Sequence, residues 1–202
     1  MSGDTPLLII LGGINGAGKS SLARRLAMAP DTAHLVFLDP DKIAAEVRRA
    51  RPGLSLNAAN FAGLRIVSER TTEMLATRQS FVTETVLATV AHRRLCEKAQ
   101  AKGWRVRLVY IGLPRLEDSI ARVALRVSKG GHAVPEADIR RRWPKTHDNL
   151  AWFAQHADSV EVYANAGWET PPTLVARGVA GRVQILDPDI LPAVTEVLRP
   201  LA

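Results

Sequence analysis

Gly13-Ile14-Asn15-Gly16-Ala17-Gly18-Lys19-Ser20 has the pattern G-x-x-x-x-G-K-S of a phosphate-binding loop, or P-loop. The apolar run Leu7–Leu11 precedes it, and a helical pattern begins at Lys19. A strand, a glycine-rich loop and a helix in this order bind phosphate well, because backbone N–H groups and the positive end of the helix point at the anion. The sequence therefore predicts a nucleotide site at this loop.

The P-loop pattern gives its residues separate tasks. Lys19 is expected to reach the β- and γ-phosphates, and the Ser20 hydroxyl is expected to hold Mg²⁺. The residues predicted to bind the nucleotide are Gly13, Asn15, Gly16, Ala17, Gly18, Lys19, Ser20 and Ser21.

Length and composition predict a single cytoplasmic domain over residues 1–202. Its 202 residues, 47% of them hydrophobic, suffice for one α/β core. We find no apolar run of transmembrane length and no secretion signal, so no membrane association is expected. One cysteine, Cys96, excludes an internal disulfide framework and suits a reducing compartment.

The formal net charge of +7 favours anionic partners such as nucleotides, phosphorylated substrates, an acidic protein or nucleic acid. The basic residues are spread along the chain and peak at Arg140-Arg141-Arg142, without a lysine-rich tail. We therefore do not expect a dedicated nucleic-acid-binding role.

Apolar strand-like runs alternate with helical patterns along the chain. The predicted strands are Leu7–Leu11, Leu35–Leu38, Phe81–Thr83, Val106–Ile111, Val160–Tyr163, Leu174–Ala176 and Val183–Leu186. The predicted helices are Lys19–Met28, Pro40–Arg51, Ala58–Thr77, Ala88–Lys102, Leu116–Val127, Glu136–His156 and Ile190–Leu198. This alternation predicts an α/β fold of the P-loop NTPase type, a mostly parallel sheet with helices on both faces. Ligands of such sheets bind beyond the carboxyl ends of the strands.

Acidic residues follow two of these strands. Asp39 and Asp41 flank Pro40 after the second strand, where both fit helix caps or dipole partners. Either also fits a general base, or a residue that orients the water on Mg²⁺. Glu84-Thr85 follows the third strand, and Glu84 is either an exposed acid or one that holds a substrate hydroxyl.

A basic segment over residues 122–142 is predicted to form a lid over the triphosphate. Arg122 and Arg126 share a helix face, and Arg140-Arg141-Arg142 begins the next helix. We expect at least one of the five arginines to contact phosphate. His132, in the glycine-rich turn between the helices, is either a substrate ligand or a local hydrogen-bonding residue.

The fourth strand carries no acid at its end. Arg105-Val106-Arg107-Leu108-Val109-Tyr110 lacks the Asp or Glu that motor ATPases and GTPases use to hold Mg²⁺. This favours phosphoryl transfer to a small acceptor over a motor or a switch.

Several motifs together resemble the zeta toxin family of P-loop kinases, in particular its short chromosomal members. They are the P-loop, Asp39-Pro40-Asp41, Phe81-Val82-Thr83-Glu84-Thr85, and the segment from Arg122-Val123 through Gly130-Gly131-His132-Ala133-Val134-Pro135 to Ile139-Arg140-Arg141-Arg142. The resemblance runs from about Leu8 to Asn149-Leu150.

The resemblance implies an activity and roles for residues. The family's best-known members use ATP and Mg²⁺ to phosphorylate a sugar hydroxyl of UDP-N-acetylglucosamine, and an antitoxin blocks the nucleotide site. By resemblance, Lys19 binds phosphate and Ser20 binds Mg²⁺. Asp41 is the base, and Arg122 or Arg126 stabilises the transferring group. The residues expected to bind the acceptor are Asp39, Glu84, Thr85 and His132.

The chain departs from the family where His132 occupies the position of a lid arginine, so a second phosphate arginine is expected at Arg126 or Arg140. Three alternatives to a UDP-sugar kinase stay open. The first is a kinase for another small acceptor, such as a nucleoside, sugar or antibiotic. The second is an ATP-binding regulatory or nucleic-acid-associated protein without kinase activity. The third is a polynucleotide kinase, whose acceptor would be a strand end.

Overall fold

The apolar runs of the sequence form one seven-stranded sheet in the computed structural model, which describes residues 5–167 and 170–202. The strands are β1 (Leu7–Gly12), β2 (Val36–Leu38), β3 (Phe81–Thr85), β4 (Arg105–Gly112), β5 (Ser159–Ala164), β6 (Thr173–Val179) and β7 (Arg182–Ile185).

The strand order is β2-β3-β1-β4-β5-β6-β7. The first five strands in this order pair in parallel, and β6 and β7 add an antiparallel edge. The predicted α/β fold with a mostly parallel sheet is confirmed. Strand β1 is the middle one of the five parallel strands, and its residues Leu8–Leu11 are fully buried, as expected for a parallel strand that is covered on both faces.

Helices cover both faces of the sheet. They are α1 (Lys19–Met28), α2 (Pro40–Ala50), α3 (Leu56–Thr77), α4 (Ala91–Gln100), α5 (Leu116–Ser128), α6 (Glu136–His156) and α7 (Pro192–Leu198), followed by a short 3₁₀ turn at Arg199–Leu201. Residues of α3, α4, α6 and α7 join the core on one face, while α1, α5 and the start of α6 join it on the other. Among the described residues, no helix is long and apolar enough to cross a membrane.

The structure shifts two predicted boundaries around the end of β3. The strand continues through Glu84 and Thr85, and α4 begins at Ala91 rather than at Ala88. The chain turns at Leu87, a buried residue with a φ of 59°. The Thr85 hydroxyl accepts from the Leu87 N–H at 3.0 Å, and Asn149 Nδ2 donates to the Leu87 carbonyl at 2.8 Å. This bonded turn lies directly before Ala88, the predicted first residue of α4, and the helix begins three residues later than predicted.

Candidate functional site

A cleft of about 1430 Å³ opens at the carboxyl ends of β1, β2 and β3, between the P-loop, α3, α4 and the lid segment. The predicted site residues that border it are Asn15, Gly16, Gly18, Lys19, Ser20, Ser21, Asp39, Asp41, Glu84, Thr85, Arg122, Arg126 and His132. Gly13 and Ala17 belong to the loop but do not border the cleft; the Gly13 carbonyl accepts from Lys19 Nζ, and Ala17 is fully buried. The structure thus brings residues from four separate parts of the sequence to one cavity.

The P-loop adopts a backbone that requires glycine. Gly16 and Gly18 have φ values of 76° and 98°, in the left-handed region that side chains disfavour. A Cβ at Gly18 would lie 2.6 Å from Asn165 Nδ2, and one at Gly16 would lie 3.1 Å from the Ser119 carbonyl oxygen. The loop can therefore curl tightly in front of α1, the geometry that cradles phosphate.

Lys19 is a buried cation at the base of the cleft. Its Nζ donates to the carbonyl oxygens of Gly13 at 2.9 Å and Ile14 at 3.1 Å. Burial lowers the pKa of Lys19, while the nearby carboxylates of Glu84 and Asp41 act in the opposite direction. A buried ammonium group aimed at a glycine-rich loop fits an anionic ligand, because an anion would compensate the charge that burial disfavours.

The lid segment contacts the P-loop at Asn15. Ser119 of α5 donates through its hydroxyl to the Asn15 carbonyl oxygen at 2.6 Å. Arg142 of α6 donates through Nη1 to Asn15 Oδ1 at 3.2 Å. Both helices that flank the predicted lid are thus bonded directly to the phosphate loop.

The loop after β5 is attached to the same region. Asn165 Nδ2 donates to the Ala17 carbonyl at 2.8 Å, and Arg122 Nη2 donates to the carbonyls of Asn165 at 2.8 Å and Gly167 at 2.9 Å. Arg122, which the sequence places in the lid, therefore also anchors the loop after β5 beside the P-loop.

The two acids after β2 have different surroundings. Asp39 is buried and caps α2, since its Oδ1 accepts from the N–H groups of Asp41 at 3.0 Å and Lys42 at 3.2 Å. Asp41 lies in the first turn of α2 and borders the cleft. Its carboxylate makes no hydrogen bond or ion pair within the part of the chain that the structure describes. Asp41 therefore presents a carboxylate at the cleft that can accept a hydrogen bond from a ligand.

Glu84 is a carboxyl group with an unusual protonation equilibrium. Desolvation raises the pKa of Glu84 to about 7, although the Lys19 ammonium opposes the change. Its Oε2 is buried without a hydrogen-bond partner among the described residues. A buried carboxyl oxygen that faces a cleft and lacks a partner suits a ligand hydroxyl, which can supply the missing hydrogen bond.

Thr85 connects the strand end to His92, a residue that sequence reasoning missed. The Thr85 hydroxyl lies 3.3 Å from His92 Nδ1, and burial lowers the pKa of His92 to about 4. The imidazole, which borders the cleft, is thus neutral at physiological pH. A lone histidine seven residues beyond a strand carries no sequence signal, and only the turn at Leu87 brings it back to Thr85.

The glycine-rich turn of the lid folds against Arg126. Arg126 Nη2 donates to the His132 carbonyl at 2.7 Å, and the Gly131 N–H donates to the Arg126 carbonyl at 2.9 Å. A Cβ at Gly131 would lie 2.5 Å from Arg126 Cγ, so a side chain there would displace the arginine. His132 is exposed, and its backbone rather than its ring makes this contact.

The three arginines at the start of α6 do not form a free basic stripe. Arg140 pairs with Glu136 at 2.7 Å and Arg141 pairs with Asp138 at 2.6 Å, both in exposed positions away from the cleft. Arg142 borders the cleft and is only 28% exposed. The paired charges of Arg140 and Arg141 weaken the case for a nucleic-acid surface at this helix.

Comparison with known proteins identifies the family. The family model described as Zeta toxin matches residues 1–170. The chain belongs to the zeta toxin family. A Haemophilus influenzae protein of uncharacterized function is 28% identical over 131 residues, which are 65% of this zeta toxin family chain and 88% of that protein.

Solved structures share the fold of this family member. The AvrRxo1-ORF1:AvrRxo1-ORF2 complex with sulphate ions gives a TM-score of 0.74 at 18% identity, and the complex with ATP gives 0.74 at 17%. Each alignment covers 96% of this chain but 64% of the other. The PezAT chromosomal toxin–antitoxin system of Streptococcus pneumoniae gives a TM-score of 0.63 at 20% identity, over 82% of this chain and 70% of that one. At these identities the similarity establishes the P-loop kinase-like fold.

Proposed function

We propose that the protein transfers the γ-phosphoryl group of ATP to a hydroxyl group of a UDP-N-acetyl-sugar. The observation that carries the proposal is one cleft that joins a P-loop with a buried lysine to two carboxyl groups, Asp41 and Glu84, with oxygens left unbonded by the described residues. The cavity of about 1430 Å³ is large enough for two ligands side by side. Membership of the zeta toxin family supports the choice of acceptor.

The residues fit a metal–nucleotide complex. The Ser20 hydroxyl, in the first turn of α1, borders the cleft next to Lys19 and would hold Mg²⁺. When bound, the metal would neutralise part of the negative charge of the phosphates.

Phosphoryl transfer requires a proton acceptor and an oriented hydroxyl. A bond forms between the acceptor oxygen and the γ-phosphorus, and the bond from that phosphorus to the bridging oxygen breaks and leaves ADP. The hydroxyl proton passes to the carboxylate of Asp41, while Glu84 accepts a hydrogen bond from a neighbouring hydroxyl of the sugar. Lys19 and the cleft arginines stabilise the charge on the phosphoryl oxygens.

The experiment is a transfer assay with ATP and Mg²⁺, read by mass spectrometry for the gain of one phosphate. It compares UDP-N-acetylglucosamine with nucleosides, free sugars and no acceptor. Asp41→Asn is expected to lower the transfer rate by about 10²–10⁴-fold and to leave ATP binding nearly unchanged. Glu46→Gln, which changes an exposed acid five residues further along α2, is the matched control and should retain the full rate. Wild-type turnover in Asp41→Asn would reduce Asp41 to a structural acid.

The family also suggests a protein partner. We propose that an antitoxin covers the P-loop side of the cleft. PezAT, which has a similar fold, is a toxin–antitoxin system. The test adds the product of a neighbouring gene, co-expressed with this protein, and measures ATP binding. Loss of ATP binding would support this proposal, and simultaneous binding of ATP and the added protein would contradict it.

A further inference from the structure

The cleft extends over the end of β3 to both faces of the sheet. Side chains alternate between the two faces along a strand. Phe81 packs in the core with residues of α3 and α4, and Val82 packs in the core with residues of α1. By this alternation Glu84 lies on the α1 face and Thr85 lies on the α4 face, and both border the cleft.

The α4 side of the cleft has polar groups that a nucleotide on the P-loop does not need. Asp41 and Glu84 act on the pKa of Lys19, so both acids belong to the P-loop side. His92 of α4, next to Thr85, borders the cleft on the other side. The reacting hydroxyl of an acceptor would lie with the acids, and the α4 side is available to the rest of that molecule.

We propose that His92 is a specificity-determining residue, whose Nε2–H donates a hydrogen bond to a carbonyl oxygen of the acceptor substrate. This inference rests on the proposed kinase function, and it assigns a residue to the part of the acceptor that does not react.

The hydrogen bonds of Thr85 determine which nitrogen of His92 carries the proton. Thr85 Oγ1 accepts from the Leu87 N–H at 3.0 Å and lies 3.3 Å from His92 Nδ1. Among the described residues, Nδ1 is the acceptor that the structure offers to the single hydrogen of this hydroxyl. If Nδ1 accepts, the proton of a neutral imidazole is on Nε2. The opposite tautomer would leave the hydroxyl hydrogen without an acceptor in that part of the chain.

The ring is held as a neutral donor. Burial lowers the pKa of His92 to about 4, so the imidazole carries one N–H at physiological pH. The turn that positions Thr85 is fixed from α6, because Asn149 Nδ2 donates to the Leu87 carbonyl at 2.8 Å. Within the described residues Nε2 makes no hydrogen bond. A fixed donor of this kind suits a ligand oxygen that only accepts.

A carbonyl oxygen is such an acceptor, since it has lone pairs and no hydrogen of its own. A UDP-N-acetyl-sugar has carbonyl oxygens in two places, the N-acetyl group and the uracil base. Both have the chemistry that the Nε2–H of His92 would recognise, and substrates that differ in one of them distinguish the two.

Steady-state kinetics of two His92 variants test the proposal, with ATP–Mg²⁺ as donor and UDP-N-acetylglucosamine as acceptor. Asparagine carries its amide on Cγ, where histidine has Nδ1, and glutamine carries it one bond further out, near the position of Nε2. For His92→Asn we expect KM for the acceptor to rise about 10–100-fold with little change in kcat. His92→Gln should stay close to wild type. His34→Gln, at an exposed position outside the cleft, is the matched control and should not change KM.

UDP-glucose, which lacks the N-acetyl group but keeps the uracil base, identifies the carbonyl. If His92 contacts the N-acetyl carbonyl, wild type and His92→Asn should use UDP-glucose with the same KM. If it contacts a uracil carbonyl, His92→Asn should raise KM for both UDP-sugars. Either result supports the assignment, provided that KM for UDP-N-acetylglucosamine rises.

Nitrogen NMR of the imidazole rings tests the tautomer in the protein without ligand, with the His92 signals identified by their loss in His92→Gln. We expect a protonated Nε2 and an unprotonated Nδ1. A protonated Nδ1 would overturn the assignment of His92 even where the protein transfers phosphate.

Two kinetic results would also contradict the proposal. If His92→Asn kept the wild-type KM and His92→Gln lost it, the ring would serve only to support Thr85. If wild type transferred no phosphate to either UDP-sugar, the proposed kinase function on this acceptor class would fail, and the role of His92 would fail with it. The behaviour of wild type therefore separates the two kinds of failure.

Discussion

Lys19 and Glu84 are ionisable side chains of this cleft whose charged forms are disfavoured by burial. Lys19 and Glu84 lie close enough to influence each other's pKa, yet neither is neutralised by a direct ion pair among the described residues. Asp39 shows the contrasting case, because backbone N–H groups satisfy its carboxylate. Glu84 Oε2 belongs to a residue that borders the cavity and lacks a hydrogen-bond partner among the described residues, as expected where a ligand supplies the missing partner.

Glu84 should make stability depend on pH in a defined direction. Its pKa of about 7 exceeds the ordinary 4.5, so the folded protein retains a proton that the unfolded chain has lost. Stability contributed by this proton is present below pH 4.5 and is lost as the pH rises through 7. Glu84→Gln does not have this titrating group. As the pH rises from 5 to 8, the free energy of unfolding of wild type should therefore fall relative to that of Glu84→Gln, by at most about 1.4 kcal/mol per pH unit.

Urea denaturation of both proteins across this pH range measures the difference. Glu73→Gln, which changes an exposed carboxyl group on α3, is the control and should run parallel to wild type. His92 and His147, whose pKa values burial lowers to about 4, are present in all three proteins, so their effect cancels in the comparison. A difference in the free energy of unfolding between Glu84→Gln and wild type that does not change with pH would contradict the raised pKa.

At the scale of elements, the sequence predicted the strands and helices that depend on a local sequence pattern. The apolar run of β1 and the Pro40 that begins α2 are such signals, and both elements form where they were expected. The turn at Leu87 could not be predicted, because it depends on Asn149 of α6, a contact between residues 62 positions apart. The run Arg140–Arg142 identified a basic helix start, but only the packing of α6 distinguishes its members.

The approach of α3 to α2 depends on a single glycine. A Cβ at Gly63 would lie 2.9 Å from the Pro40 carbonyl oxygen and 3.0 Å from Ala44 Cβ, contacts with atoms that cannot rotate away. Gly63→Ala should therefore push α2, which carries Asp41, out of position. We expect a loss of about 1–3 kcal/mol in the free energy of unfolding, despite the better helix propensity of alanine, and a slower phosphoryl transfer.

Gly53→Ala is the matched control for this change. Gly53 lies in the connection between the same two helices, and a Cβ added there would meet no atom of the described residues within 4 Å. Its substitution should leave both stability and transfer rate close to wild type. A Gly63→Ala protein that is more stable than wild type would show that the two helices do not need the close approach.

At the scale of the whole molecule, a charged group in the cleft lowers the free energy of unfolding, and a bound nucleotide should raise it again. Burial of the Lys19 ammonium disfavours the folded state without a ligand, and an anion on the P-loop reverses this effect. At a ligand concentration of about 100 times Kd, ATP–Mg²⁺ should add about 2.7 kcal/mol to the free energy of unfolding. In a chain of this size the added free energy corresponds to a rise of about 5–10 °C in Tm.

Lys19→Met separates the structural effect of the lysine from its role in binding, because methionine fills similar space without a charge. Without nucleotide, we expect this variant to melt at or above the wild-type Tm, since it no longer buries an ammonium group. With ATP–Mg²⁺ it should lose the rise of about 5–10 °C that wild type gains. Lys102→Met, at an exposed position outside the cleft, should keep that rise. A Tm of Lys19→Met well below that of wild type without nucleotide would contradict this expectation. It would mean that the hydrogen bonds from Lys19 to the Gly13 and Ile14 carbonyls stabilise the protein by more than the burial of the charge destabilises it. The lysine, and not only the glycines, would then be required for the conformation of the loop.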